Sequence, residues 1–471
     1  MASFDALSVK ILVLHVLVAG YSWQTTDKLA NSACTIYYCR MPDGEPPKET
    51  ADDEPPAEVQ LAAAAQQPEA VGRMGPMVLA MAGFFCMGIP IAGAHWCFSV
   101  FVLPIEREFG WTRSEVNLAY SIGIVSNGIA APIWGRILDR YGARVTLTAG
   151  ELLIAGGWLL RSQATSLAVF YASFALAYIG LPACVLSVPR TLAQAFPKRR
   201  GTIVGVATTG ASVCSMILVP LSEHVIARSG WEAACFMFAG LQVAVAVLAA
   251  LTFPHNPAKN TDSDGARGGA KGHGGNDGDS GLFTVTFCLF AAACNCGQLC
   301  YAAVGGSLVP YYANIGFSEK DAALLAGPLL AVPNLIGKLG FGRLSDSGKT
   351  GGPIRTFQIV FVVLTLAVVL FSLVALTSDG GDGGSMSGSM SGNMSGNITT
   401  VQLFSMSDSG GGPSVVLVAA ATILFGAGYG GYISMQHTAA MDAFSIEKFG
   451  TAMGTIQGLV VIPGIGVRPE D

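Results

Sequence analysis

From residue 76 onward the chain alternates long apolar runs with short polar breaks. A helix rises 1.5 Å per residue, so roughly 20 apolar residues match the ~30 Å hydrocarbon core of a bilayer. Lipid offers no hydrogen-bond partner. Each run must therefore satisfy its own backbone groups, and a helix does so within one segment. The runs fall at 76–105, 116–138, 145–160, 167–196, 201–226 and 231–253, then at 282–312, 322–341, 354–376, 414–443 and from 450 onward. They are spans 1 to 11. Only 12% of residues are charged, against roughly 25% in soluble domains, so most of the chain faces neither water nor a polar partner. The net charge of −5 decides little, because in such a chain the sign matters by side. No basic stretch points to nucleic acid.

Three segments break the pattern. Residues 1–73 contain a run at 11–20 too short to span, as in a signal-peptide core, followed by an acidic, Pro- and Ala-rich stretch at 41–70 that reads as disordered. A targeting segment, a cytosolic tail and a faulty gene start all fit; the tail is the working expectation. Residues 254–281 are polar and Gly-rich, a flexible linker. Residues 377–413 are of low complexity, rich in Gly, Ser, Met and Asp. Met386, Met390 and Met394 in that stretch offer thioethers of the kind that favour Cu(I), but a Ser-Gly-Met repeat is the simpler account. The eleven Cys lie mostly singly in apolar runs. Cys288, Cys294, Cys296 and Cys300 have no zinc-ligand spacing and read as small buried hydrophobes.

The two halves repeat. Asn127-x-Ile129 and Gly135-Arg136-Ile137-Leu138-Asp139 end span 2, and Asn334-x-Ile336 and Gly342-Arg343-Leu344-Ser345-Asp346 end span 8. Gly110-Trp111-Thr112 matches Gly316-Phe317-Ser318. Gly201-Thr202-x-x-Gly205 opens span 5 as Gly450-Thr451-x-x-Gly454 opens span 11. Three matches in one order mean a duplicated half of six spans. That count expects a twelfth span, and the polar ending from Val467 to Asp471 suggests a truncated chain or gene model.

Lys and Arg in short loops set orientation. Loops after even spans hold Arg136, Arg140, Arg144, Lys198, Arg199, Arg200, Arg343, Lys349, Arg355 and Lys448; the opposite loops hold Arg107, Arg113, Arg161, Arg228 and Lys320. The even-span loops and the N-terminus are expected on the cytosolic side. Asn393-Met-Ser395 and Asn397-Ile-Thr399 are glycosylation acceptors in a loop that this bias places outside.

The stretch Gly135-Arg136-Ile-Leu-Asp139-Arg140-Tyr-Gly142-Ala-Arg144 resembles the loop 2–3 signature of the major facilitator superfamily. Phe109-Gly-Trp-Thr-Arg-Ser-Glu115, Phe196-Pro-Lys198-Arg199-Arg200-Gly201, Gly230-Trp231 and Asn334-x-x-Gly337-Lys338 look like the monocarboxylate transporters and the related oxalate–formate antiporters. The resemblance covers about 94–254 well and 281–466 more loosely. It implies an all-α membrane fold of two pseudo-symmetric six-helix bundles, and alternating access around a midplane cavity. The chain also departs from these families. The monocarboxylate family's Lys in span 1 falls near His95 or Trp96, and its acidic residue in span 8 is Asn334. The antiporters' Lys in span 11 falls near Ile456 or Gln457.

Charges inside a membrane are costly and default to function. Lys338 lies two turns inside span 8, at the position where both families place an Arg, and its first-half counterpart is Ala131. It is the expected anchor for a substrate carboxylate; snorkelling toward the cytosol is the alternative. Arg190 in span 4 is expected to meet substrate or an ion partner. His95 can titrate near neutral pH or be a satisfied core His. Lys338, Arg190, His95 and Asn334 form the expected substrate set. Gly135, Arg136, Asp139, Arg140, Gly342, Arg343 and Asp346 form the expected gate: the glycines allow close helix approach, Asp139 can meet the N-terminal end of span 11, and Asp346 that of span 5. Glu151, Glu223, His224 and His437 read as helix-edge or pairing groups.

The expected protein is a transporter of small carboxylates, with or without a coupled proton, in the plasma membrane or an organelle membrane. A proton would neutralise one charge and lower the cost of a buried anion. A facilitator for another small solute and a non-transporting receptor or fragment stay open. No cofactor is expected, no nucleophile–base pair, phosphate loop or metal cluster argues for an enzyme, and nothing in the sequence speaks to an accessory membrane subunit.

Overall fold

A computed structural model describes residues 75–255, 285–314, 319–379, 415–444 and 448–464. The tail at 1–73, most of the linker, and most of the low-complexity loop with Asn393 and Asn397 lie outside the described residues. So does any twelfth span.

Every regular element among the described residues is helical. Numbered by span, α1 runs Pro76–Ile91 and, after a π turn at Ala92–Trp96, continues as Phe98–Phe109. Then come α2 (Arg113–Tyr141), α3 (Ala143–Ser162) and α4 (Leu167–Ala195). One stretch, Arg200–Thr252, is broken by non-helical Gly230 (φ 85°, ψ 167°) into two legs, α5 (200–229) and α6 (231–252). The second half holds α7 (Val285–Asn314), α8 (Glu319–Asp346), α9 (Pro353–Asp379), α10 (Val415–Phe444) and α11 (Phe449–Gly464). Seven stretches among the described residues are long and apolar enough to cross a membrane, and one of them, Pro197–Thr252, has 56 residues, enough for two crossings.

Local chemistry sets the breaks. Thr112 caps α2: its hydroxyl accepts from the Glu115 backbone N–H at 3.3 Å while the Glu115 carboxylate accepts from the Thr112 N–H at 2.8 Å, a reciprocal pairing that satisfies two orphan donors. Gly142, at φ 80°, turns the chain between α2 and α3 in a conformation L side chains rarely adopt. Pro90 lies two residues before the π turn of α1. A proline removes one backbone donor and clashes with the preceding turn, and the wider turn that follows carries His95.

Two cores hold the halves. The first is aromatic, with Trp158 stacked on Phe238 at 4.4 Å and Phe101, Phe170 and Phe174 around them. The second centres on Phe361, Phe425 and Tyr432 and runs across to the first half through Trp134, Leu138 and Leu186. The surface is apolar as well: Met216 and Ile129 are 72% and 68% exposed. In water such a belt is an aggregation hazard; in lipid it is the expected outer face.

Candidate functional site

The two halves meet closest where α2 crosses α11 and where α8 crosses α5, and glycines make both crossings. A Cβ on Gly135 would run into the Gly450 carbonyl, and one on Gly454 into that of Ala131. At the second crossing a Cβ on Gly201 would lie 2.5 Å from the Gly342 oxygen, and one on Gly205 2.5 Å from that of Lys338. Backbones this close leave no room for a side chain.

Each crossing is tied by one carboxylate. Asp139, at the end of α2, accepts from the backbone N–H of Gly450 (3.1 Å) and Thr451 (2.7 Å) and from the Thr451 hydroxyl (2.6 Å). Asp346, at the end of α8, accepts from the backbone N–H of Gly201 (2.8 Å) and Thr202 (2.6 Å). The acceptors sit on the first, unpaired N–H groups of α11 and α5, where the helix dipole favours negative charge. Arg190 of α4 donates to Asp139 at 2.7 Å, with both side chains at most 20% exposed. Of the two roles expected for Arg190, the structure shows the ion pair, with Asp139 as its partner. Arg136, Arg140 and Arg343 are exposed around this basic end, and Arg140 lies over the Tyr141 ring at 5.4 Å.

Lys338 sits two turns deeper on α8 and is 5% exposed. Its ammonium donates to the Thr208 carbonyl (3.2 Å) and the Ser212 hydroxyl (2.8 Å), both on α5. An ammonium has three donors, and among the described residues no carboxylate pairs with it. The side chain thus reaches across to the other half and does not snorkel to the surface. Thr208 and Ser212 were not singled out from the sequence. The register that sets Gly205 under Lys338 was the available signal, since Thr208 follows within one turn.

His95 and Asn334 do not join Lys338 in one cluster. The His95 ring nitrogen Nδ1 lies 2.9 Å from the Tyr120 hydroxyl and 3.5 Å from that of Tyr178, which donates to the Ala94 carbonyl at 2.7 Å. In the second half, Tyr301 stacks on Tyr429 at 4.0 Å and Tyr429 donates to Gln298 at 3.0 Å. Tyr301 of the second half lies within electrostatic reach of Tyr120 of the first. Asn334 is half-buried one turn before Lys338, where Gly430 of α10 packs on its backbone carbonyl.

Of the residues expected as helix-edge or pairing groups, two are not at an edge. Glu151 is fully buried, and His437 is 1% exposed with its Nδ1 facing the Ile433 carbonyl at 3.1 Å. Among the described residues no group of His, Cys, Asp and Glu is placed to hold a metal.

Comparison with known proteins gives the architecture a relationship. The family profile of the Major Facilitator Superfamily matches residues 84–466. Monocarboxylate transporter 12 of Rattus norvegicus is 25% identical over 305 residues, 58% of this chain and 61% of that protein. Monocarboxylate transporter 13 of Bos taurus is 26% identical over 312 residues, 66% and 70%. The oxalate:formate antiporter of Oxalobacter formigenes is 26% identical over 158 residues, 34% and 38%. The solved structure of the proton:xylose symporter XylE bound to 6-bromo-6-deoxy-D-glucose superposes with a TM-score of 0.53 at 13% identity, over 82% of this chain and 86% of that one. The likeness to XylE concerns the fold alone.

Proposed function

This chain belongs to the major facilitator superfamily of membrane transporters, and from that premise we propose that it carries small carboxylates, together with a proton, by alternating access. The observation that carries the reading is Lys338: a buried cation between the halves, held by neutral oxygens of the opposite half and paired with no carboxylate among the described residues. Burying a charge without a counterion is expensive, so an anionic substrate supplies what the protein omits. Relatives named as monocarboxylate transporters and an oxalate:formate antiporter agree with an anion of this class. Asp139 and Asp346 act as latches. They hold the basic end shut in the arrangement described and release α11 and α5 when that end opens.

Uptake of labelled lactate, formate and oxalate into proteoliposomes, with and without an inward proton gradient, tests this. Lys338→Gln abolishes uptake with membrane expression intact, and Lys338→Arg retains part of it, because the charge stays while the point contact becomes a fork. Wild-type rates in Lys338→Gln would remove the substrate role from this residue.

A further inference from the structure

One acid inside the first bundle has no part in the latches or the Lys338 site. Glu151 of α3 is fully buried, and neither carboxyl oxygen has a hydrogen-bond partner. None of the ion pairs among the described residues includes it. Its helix is clamped to α4, where a Cβ on Gly150 would lie 2.8 Å from the Gly180 carbonyl.

The surroundings are weakly polar. Cys86 of α1 and Cys184 of α4 lie within electrostatic reach of the carboxyl, and the Cys86 thiol faces the Val245 carbonyl of α6 at 4.0 Å. Those two thiols are the titratable groups that α1 and α4 bring. On α3 itself Arg161 lies almost three turns away, its guanidinium over the rings of Trp158 (4.2 Å) and Phe174 (3.5 Å). From α6 comes Gln242, uncharged and fully buried, with its amide oxygen and nitrogen also unpartnered. The Trp158–Phe238 stack fixes the antiparallel register of α3 and α6. Counting back along α3 and forward along α6 brings Gln242 to within about one helical turn of the level of Glu151.

An acid and an amide left unpartnered at one level of a dry bundle are an exception to the rule that buried polar groups are paired. An ionised carboxylate there costs far more than a neutral one, so the group takes up a proton. As a neutral acid it has an O–H to donate and an oxygen to accept, which matches the acceptor and donors of a primary amide. We propose that Glu151 is a proton-binding site of this transporter, protonated in the arrangement described and emptied in an arrangement of the transport cycle that lets water reach it. On emptying, the acid O–H bond breaks, a water molecule takes the proton, and the carboxylate left behind is stabilised by the water that has entered.

The inference rests on the proton-coupled reading above and adds the residue that takes the proton. Its test uses the full chain. In lipid nanodiscs, infrared spectra titrated with pH read the C=O stretch of a neutral carboxyl group. The wild type keeps such a band at neutral pH, Glu151→Gln loses it and Glu151→Asp keeps a shifted one. In proteoliposomes an inward proton gradient stimulates wild-type uptake of labelled lactate or formate. Glu151→Gln, a mimic of the neutral acid, loses that stimulation while exchange without a gradient continues. A band that survives Glu151→Gln overturns the site. A band lost with gradient stimulation intact overturns its role and leaves proton coupling standing. Wild-type uptake that ignores the proton gradient, or that follows a sodium gradient instead, removes the proton-coupled reading and this proposal together.

Discussion

The α2–α11 and α8–α5 crossings are built on one plan and charged on two. In each, glycines bring backbones together, and an aspartate at the end of the even helix takes two N–H groups in the first turn of the odd one. The cations differ. Arg190 sits on the Asp139 latch, and the register of the Gly-Thr match, carried back into α10, sets Ala439 opposite it. Lys338 lies under Gly205, whereas the residue under Gly454 is Ala131. The duplicated part is what opening and closing need twice. The unduplicated part is a charge, and a charge in the bilayer interior persists where chemistry uses it. Under the function proposed above, the two crossings separate machinery from specificity within a single fold.

The shared backbone gives the largest expected effect. Gly135→Leu and Gly201→Leu each force a side chain into the opposing main chain, where overpacking costs about 1–3 kcal/mol or more. Both variants should lose the arrangement with the basic end closed. A cysteine introduced between the latches should then react with a water-soluble maleimide much faster than in the wild-type background. Unchanged reactivity in either variant would mean that the crossing is not the seal.

The carboxylates come next, and here the crossings should part. Asp139→Asn takes the charge from the carboxylate that pairs with Arg190, and breaking a well-buried pair costs roughly 3–5 kcal/mol. The residual exposure of 12% and 20% lowers that toward the 1.5–3 kcal/mol of a hydrogen bond to a charged group. Asp346→Asn weakens two backbone contacts only. Maleimide reactivity should rise more in Asp139→Asn than in Asp346→Asn, and Arg190→Gln added to Asp139→Asn should recover part of the difference. Equal effects of the two Asn variants would show that Arg190 contributes nothing to the latch.

Much of this was legible in the sequence, because repeats and misplaced charges need no structure to be seen. The helical membrane architecture follows from run length. The two aspartates stand out because the same motif ends spans 2 and 8, and Lys338 because it interrupts an apolar run. What stayed hidden depends on contacts far apart in the chain. Arg190 and Asp139 are 51 positions apart, and nothing in either segment names the other. Glu151 reads as a helix-edge or pairing group in the sequence; its isolation comes from α1, α4 and α6 packed around it. The place of His95 depends on a π turn that shifts the helical register after Pro90, so a 3.6-residue period misassigns its neighbours. Spans 5 and 6, by contrast, were separable in the sequence, and non-helical Gly230 divides them in the structure.

The smallest difference between the crossings is a hydroxyl. Thr451 and Thr202 are the same residue at the same place in the repeat, and both give a backbone N–H to the latch aspartate. Only the Thr451 hydroxyl also reaches the carboxylate, at 2.6 Å. Valine keeps the branched shape and removes the hydroxyl, so Thr451→Val isolates that bond while the backbone contacts stay. A hydrogen bond to a charged acceptor is worth about 1.5–3 kcal/mol. Partial access of water to this end and the surviving N–H donors set the expected loss near the lower figure, about a tenfold shift in the closed–open equilibrium. Thr202→Val loses no bond to Asp346, and its maleimide reactivity should match the wild type. The Thr451→Val effect should also shrink in an Asp139→Asn background, because the acceptor has already lost its charge. If Thr202→Val opens the basic end as far as Thr451→Val does, the hydroxyl is not the cause, and the crossings differ at Arg190 and Lys338 alone.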